Sequence, residues 1–487
     1  MAAPLSAAQI EASLQCELRL WKRLDGREPP SDPVASAELD RLRAGLRALY
    51  PEAPDAPASG SALPLPEAGT PAAVLGAQLS VAGVSVRLDL LERREDGRLV
   101  LGLVDSETRV RDPLVDRAAL QFYLLEYAGF EVGSVEALLP DPKYVRDEEL
   151  DWQSLFRRID ITRQARLIAG DVPGDLARAA AVAAAESPPA VEPSPHCRRP
   201  SPCEFWTECT AARKDDWIGH LPRLRPPRYQ ALRELGVESI AQLDEAELQV
   251  ASQRNARRAL LAGATFARDD LGRRLAGFGP PAHFLDFEAV SPAVPVFEAT
   301  RPFEVVPFLW SAHSLDRRGE LRHRDWIGPE DRDPRPGLAR TLLDALGGDD
   351  APIVVYSGFE AETIEGLATA LPDLAGELRR LAGRLRDLLA LVRETVYAPG
   401  FRGSFSLKRV APALVAGFDY AGLEVADGGT AASSFLELAR AEKRPEGAPE
   451  LCAALRAYCA RDTLALVELL GALRRLADSG ASRPGPP

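Results

Sequence analysis

A chain of 487 residues is long enough for two or three domains, and its 46% apolar and 27% charged content is ordinary for globular protein. A net charge of −13 argues against a large sequence-independent DNA-coating surface but leaves room for a local basic groove. No apolar run reaches spanning length, the start "MAAPLSAAQIEASLQCELRLW" lacks a secretory pattern, and six cysteines in so long a chain do not suggest a disulfide scaffold; the expectation is a cytoplasmic protein with no membrane partner.

Along the chain, "QLSVAGVSVRLDLLE" alternates and predicts a hairpin with Gly83 at the turn. "RLVLGLVDSE" reads as the next strand, and "DRAALQFYLLEYAGF" has helical spacing that ends near Gly129. Residues 175–196, Ala-rich and then Pro-rich, predict a short helix and an irregular connector. Residues 216–275 read as helical throughout. From Pro280 a new α/β unit begins, with strands "HFLDFEAV", "VVPFLWSAHSL" and "PIVVYSGF" followed by several helices. The tail "SGASRPGPP" is expected to be disordered.

The run "HFLDFEAV" places two acids among strand-forming residues. Alternation puts Asp286 and Glu288 on one face and Leu285 and Phe287 on the other. Paired carboxylates repel unless a cation meets them, and a hard divalent ion such as Mg²⁺ suits such a pair. Glu360 sits where the strand "PIVVY" turns into a helix, within reach of a neighbouring strand end. In the amphipathic helix "ELCAALRAYCARDTLALVELLGALRRL", Tyr458 and Asp462 are four apart and share a face. Taken singly, each acid also fits a solvated position.

In this order the pieces resemble the DEDDy exonucleases of the RNase H-like (DnaQ-like) fold, over roughly residues 280–477. There a D-x-E strand, a later acid and a C-terminal Y-x-x-x-D helix form one site. The resemblance implies that Asp286, Glu288, Glu360 and Asp462 ligate Mg²⁺ or Mn²⁺ and that Tyr458 orients the attacking water. Glu360 departs from the family, which usually has Asp there. Two cations about 4 Å apart can activate a water and stabilise the leaving oxygen of a phosphodiester. "GSFSLKRV" resembles a segment of related nucleases in which Lys408 or Arg409 would contact phosphate.

"HCRRPSPCEFWTEC" sets Cys197, Cys203 and Cys209 at equal gaps, and Cys16 offers a fourth thiol. Four thiolates suit either a 4Fe–4S cluster or Zn²⁺, and the close pairs typical of zinc sites are missing. This layout resembles the iron–sulfur RecB-like nucleases, including the AddB and CRISPR-associated members, over about residues 5–212. In them the cluster ties distant ends of the domain together. Asp89 matches their first metal-binding acid and Gln121 their later Gln. Leu103 and Asp105 stand where Glu and Lys are expected, so this domain reads as a degenerate nuclease; a shifted alignment would use Asp105 and Glu107. "GHLPRLRPPRYQALRELGVESIAQL" resembles a helix–hairpin–helix, with Arg223 and Arg225 at the expected glycine positions.

The whole arrangement is similar to a bacterial family that fuses these two nuclease-type domains. The expectation is an α/β multidomain protein. A RecB-like fold with a Cys₄ cluster covers 1–215, a helical connector 216–275, an RNase H-like exonuclease domain 280–477, and a disordered tail 478–487. The expected activity is metal-dependent hydrolysis of DNA or RNA, 3′→5′ by a two-metal mechanism. The alternative is a non-catalytic nucleic-acid-binding or scaffold protein with decayed nuclease folds.

Overall fold

The computed structural model describes residues 3–27, 33–54, 72–423, 425, 427–441 and 443–479. It is a mixed α/β protein with several sheets. Two compact units divide the chain: Met1–Ala211 with Pro292–Glu304, and Ala212–Ser291 with Val305–Pro487. The segment expected as a separate connector over 216–275 thus falls in the second unit. Pro292–Glu304, read from sequence as part of the C-terminal domain, falls in the first. Its apolar content explains why: Ala293 and Val294 are buried among Leu42, Leu75, Leu90 and Val104, and the Val294 N–H donates to Glu38 Oε2 at 3.0 Å. The tail from residue 480 lies outside the described residues. Among them, no helix is long and apolar enough to cross a membrane.

The first unit contains β1 (Leu5–Ser6), β2 (Ala72–Val81), β3 (Val84–Arg93), β4 (Leu99–Val104), β5 (Val132–Pro140) and β6 (Phe156–Asp160), in one sheet ordered β1-β3-β4-β5-β6 with β2 also on β3. β2 and β3 form the hairpin read from their alternation, and Gly83 turns it at φ +75°, a conformation open to glycine. The helix Asp112–Tyr127 packs Leu114, Leu120, Phe122, Leu124 and Leu125 into the sheet's core and stops before Gly129, whose φ is +88°.

The second unit contains β7 (Phe266–Ala267), β8 (Ala282–Val290), β9 (Val306–Leu315), β10 (Leu321–Ile327), β11 (Ile353–Val355), β12 (Leu385–Asp387) and β13 (Val396–Tyr397). Its main sheet runs β10-β9-β8-β11-β12, antiparallel from β10 to β8 and parallel from β8 to β12, and β7 pairs with β13. Both faces are covered. Leu285 and Phe287 of β8 join Trp310, Ile353 and Val355 under the helices Arg335–Leu346 and Phe359–Ala370. Phe284 and Val354 face the other way, onto Leu466, Leu469, Leu470 and Leu473 of the long helix Ala448–Asp478.

Residues 216–275 are not helical throughout. The helices Pro226–Glu234, Ala251–Ala262 and Leu271–Leu275 are separated by 3₁₀ turns and by β7. Local side-chain capping explains the breaks: Ser239 and Asp244 each close a capping box over a single 3₁₀ turn, and Gly236 and Gly263 take φ of +75° and +61°. β10 was not anticipated. Its first four residues, Leu321–Arg324, are exposed on an edge strand, so their sequence carries no apolar alternation.

Candidate metal centre

The centre is built on β8, whose even-numbered residues turn toward the long C-terminal helix. Asp286 stands opposite Ser311 and Glu288 opposite Leu309 on β9. Asp286 is partly accessible, and Glu288 is 8% exposed. Glu360 lies in the first turn of the helix Phe359–Ala370, where the short β11 ends. It is buried, and Ser357 Oγ donates to its Oε2 at 3.3 Å. Asp462 reaches the same place from the long helix. That helix is fixed against β9 by the buried Thr463, whose hydroxyl meets His313 Nδ1 at 2.8 Å and Ser311 Oγ at 3.0 Å.

These four acids, from three separated stretches of chain, converge. Asp286, Glu360 and Asp462 line one pocket with Tyr356, Ser357 and Lys408, and a Glu288 oxygen lies within 4.8 Å of an Asp286 oxygen. Burial pushes the Asp286 carboxyl well above the usual range, and the charges of Glu288, Asp462 and Glu360 push it further. Burial and Asp462 raise Glu288 to about 8, and burial raises Glu360 to about 7. Asp462 is raised by burial too, against the pull of the Tyr420 hydroxyl, Lys408 and the Tyr458 hydroxyl. No ion pair within 4.0 Å reaches any of the four among the described residues. Each shift favours the protonated form, and a bound cation would favour the ionised form, a set of hard oxygen ligands.

Tyr458 is buried one helical turn before Asp462. The Lys408 ammonium lies 4.8 Å from the centre of its ring and 5.6 Å from that of Tyr420. The loop before Lys408 depends on Gly403, whose φ is +78° and whose Cβ, were there one, would collide with the His220 carbonyl oxygen. Two members of this neighbourhood were missed from sequence. Cys459 touches Asp286, with Sγ 3.5 Å from Oδ2. A signal existed, since Cys459 precedes Asp462 by three residues and shares its helical face. Tyr420 lies in an aperiodic stretch that carries no signal.

In the first unit, Cys16, Cys197, Cys203 and Cys209 surround one small cavity with Phe205 and Trp206. Burial raises the Cys197 thiol to about 11, and the other three sulfurs add to the rise. Residues some 180 positions apart are tied there: Gln15 Nε2 donates to the Ser201 carbonyl at 2.9 Å, Arg19 and Arg23 pair with Glu204 at 2.9 and 2.8 Å, and Lys22 pairs with Glu208 at 2.6 Å. Among the described residues, the one set of three His, Cys, Asp or Glu ligand atoms lying within 4.8 Å of one another is that of Asp286, Glu288 and Cys459; no three of the four cysteine sulfurs meet that condition.

The acid expected to begin a nuclease site here is occupied otherwise. Asp89, 3% exposed on β3, accepts from Arg43 Nε at 2.8 Å and from the Val104 N–H at 3.0 Å. Leu103 is in the core, and Asp105 pairs with Arg117 at 2.8 Å. Glu107 is exposed and pairs with Arg111. Gln121 Nε2 donates to the Arg87 carbonyl. Arg223 and Arg225 are both exposed, and Arg223 adopts φ +56°, the left-handed conformation in which a glycine was expected.

A family described as a domain of unknown function (DUF2779) matches residues 283–406. The match takes in Asp286, Glu288 and Glu360 and ends before Lys408, Tyr458 and Asp462. No curated protein and no solved structure matches the chain.

Proposed function

We propose that the second unit is a DEDDy-type, RNase H-like exonuclease that hydrolyses DNA or RNA from the 3′ end, using Mg²⁺ or Mn²⁺ held by Asp286, Glu288, Glu360 and Asp462. The observation that carries this reading is the convergence of Asp286, Glu360 and Asp462 on one pocket, with Glu288 beside Asp286 and no ion pair to any of the four among the described residues. Hard carboxylate oxygens fit hard divalent cations, and carboxyls pushed up by burial and by one another are a set that a cation would stabilise as ligands. Two bound cations supply activation of a water and stabilisation of the leaving oxygen. Tyr458 orients that water through its hydroxyl. Lys408, beside the Tyr458 ring, contacts the phosphate. Glu360 reaches the site from a helix start, which leaves room for a side chain one methylene longer than Asp.

In the same reading the first unit is a RecB-like fold that binds nucleic acid or supports the structure and does not cut. Asp89 has an arginine where a metal would bind, which favours the non-catalytic alternative for this unit alone. Its four cysteines hold a 4Fe–4S cluster. Four thiols around one cavity suit such a cluster, and their sequence lacks the close cysteine pairs typical of zinc sites. Phe205 and Trp206 shield the cavity, and Arg19 and Lys22 line it while pairing with Glu204 and Glu208. A cytoplasmic location goes with this chemistry.

The test is a metal-titrated degradation assay on end-labelled single and double strands of DNA and RNA. Nucleotide release from 3′ ends that starts with Mn²⁺ or Mg²⁺ and stops with chelator supports the proposal. Cluster-loaded protein that binds these strands with Mn²⁺ present but shortens none of them would leave the scaffold alternative in its place.

A further inference from the structure

Cys459 sits against the acids of the second unit, and the hydrolytic reading gives it no task. It is fully buried, at 0% exposed. Its Sγ, an Asp286 oxygen and a Glu288 oxygen all lie within 4.8 Å of one another. Glu288 is more than nine-tenths buried, and no hydrogen bond or ion pair reaches its carboxylate among the described residues. Its carboxylate lies beside the equally negative Asp286 and Asp462, and a cation held among them would relieve that repulsion. Two carboxylates alone would suit a hard cation. The thiol changes the chemistry, because sulfur selects borderline and soft ions over Mg²⁺.

The spacing fits such an ion. In tetrahedral zinc coordination, Zn–S of about 2.3 Å and Zn–O of about 2.1 Å set the sulfur-to-oxygen edge at about 3.6 Å. The Cys459 Sγ to Asp286 Oδ2 distance is 3.5 Å. We infer that Asp286, Glu288 and Cys459 form a site for one thiophilic divalent cation such as Zn²⁺, separate in its ligand set from the oxygen-only coordination of Mg²⁺ or Mn²⁺. The metal takes the place of the thiol proton, which passes to solvent. Asp286 and Glu288 would then be withheld from the hydrolytic cations, so zinc inhibits. That consequence rests on the proposed function; the binding does not.

The experiment compares full-length wild type with Cys459→Ser and Cys459→Ala, all three retaining the cysteines of the first unit, which cancel in the difference. Zn²⁺ is titrated against a chromophoric chelator, and Mn²⁺ binding is followed by electron paramagnetic resonance. Wild type is expected to take up one zinc more than either variant at concentrations about tenfold or more below those at which the variants fill. Mn²⁺ affinity stays within about threefold in all three. Equal zinc uptake and affinity in wild type and variants overturns the inference. Should the variants fail to fold, wild type alone decides through alkylation in mild denaturant, where local opening exposes Cys459, mapped by mass spectrometry. Zinc then slows labelling of Cys459 by about tenfold or more and leaves Cys452 unchanged; labelling of Cys459 that ignores zinc overturns the site. Zinc binding through Cys459 in a protein that cuts nothing removes the nuclease proposal and keeps this one. Mn²⁺-dependent cutting with no zinc site does the reverse.

Discussion

Asp89 on β3 and Asp286 on β8 both project from buried strands beside other acids, and the two units treat them in opposite ways. Asp89 is met by Arg43 and a backbone N–H, and its neighbour Asp105 by Arg117. Asp286 is met by Glu288, Glu360 and Asp462, all of the same sign, and by a thiol. A buried carboxylate neutralised by an arginine from its own chain is a structural element, because its charge is already balanced. A buried set without that balance stays protonated or takes a cation from outside. Ion pairing, more than the acids themselves, thus separates a frame from a candidate site in this chain.

The widest separation is expected in turnover. Asp286→Ala or Asp462→Ala should lower degradation by about a hundredfold or more, since metal-ion catalysis supplies several kcal/mol. Asp89→Ala should leave turnover per folded molecule within about twofold. Equal losses at Asp89 and Asp286 in folded proteins would erase the distinction between the units.

Stability should sort the same residues the other way. Arg43→Ala leaves Asp89 buried and unpaired, and should cost about 2 kcal/mol in denaturant unfolding, below the usual penalty for a broken buried pair because Arg43 keeps partial solvent contact. Removing the carboxyl as well, in Arg43→Ala/Asp89→Ala, should recover part of that loss. No loss in the single variant would mean that Asp89 is not held by its arginine.

The pH dependence sharpens the contrast from the other side. Glu288 has its carboxyl raised to about 8 in the folded protein. A raised acid favours folding below the unfolded pKa, and that contribution is lost as pH rises through the folded value. Metal-free Glu288→Gln should therefore match wild type near pH 4 and be more stable by about 3–4 kcal/mol near pH 8. Saturating Mn²⁺ should reverse the order at pH 8, because only the carboxylate ligates. A difference that does not change with pH would show that Glu288 is ionised without a metal.

Tyr458→Phe should have the smallest effect, about tenfold on turnover, because it removes one hydroxyl and no metal ligand. Unchanged Mn²⁺ affinity in this variant would separate water orientation from metal binding.

Much of the second unit was legible because periodicity carries it. Alternation over "HFLDFEAV" assigned faces to Leu285, Asp286, Phe287 and Glu288, and helical spacing put Tyr458 and Asp462 together. The charged edge strand β10 was not legible, since an exposed strand needs no apolar pattern. Nor was the transfer of Pro292–Glu304 to the first unit, which depends on Ala293 and Val294 finding a core built from residues well over a hundred positions away, such as Leu42, Leu75, Leu90 and Val104. Arg43 and Arg117 were invisible as neutralisers of Asp89 and Asp105, because ion pairs across a fold leave no local spacing. Cys459 was legible in principle, because it stands one helical turn before Asp462.

The most direct test of the account is Mn²⁺ binding to wild type, Asp89→Ala and Asp286→Ala, measured by electron paramagnetic resonance on folded, cluster-loaded protein without substrate. The account predicts that wild type and Asp89→Ala bind Mn²⁺ alike and that Asp286→Ala loses at least about tenfold in affinity. Binding that survives in Asp286→Ala and disappears in Asp89→Ala would contradict it and move the metal centre to the first unit.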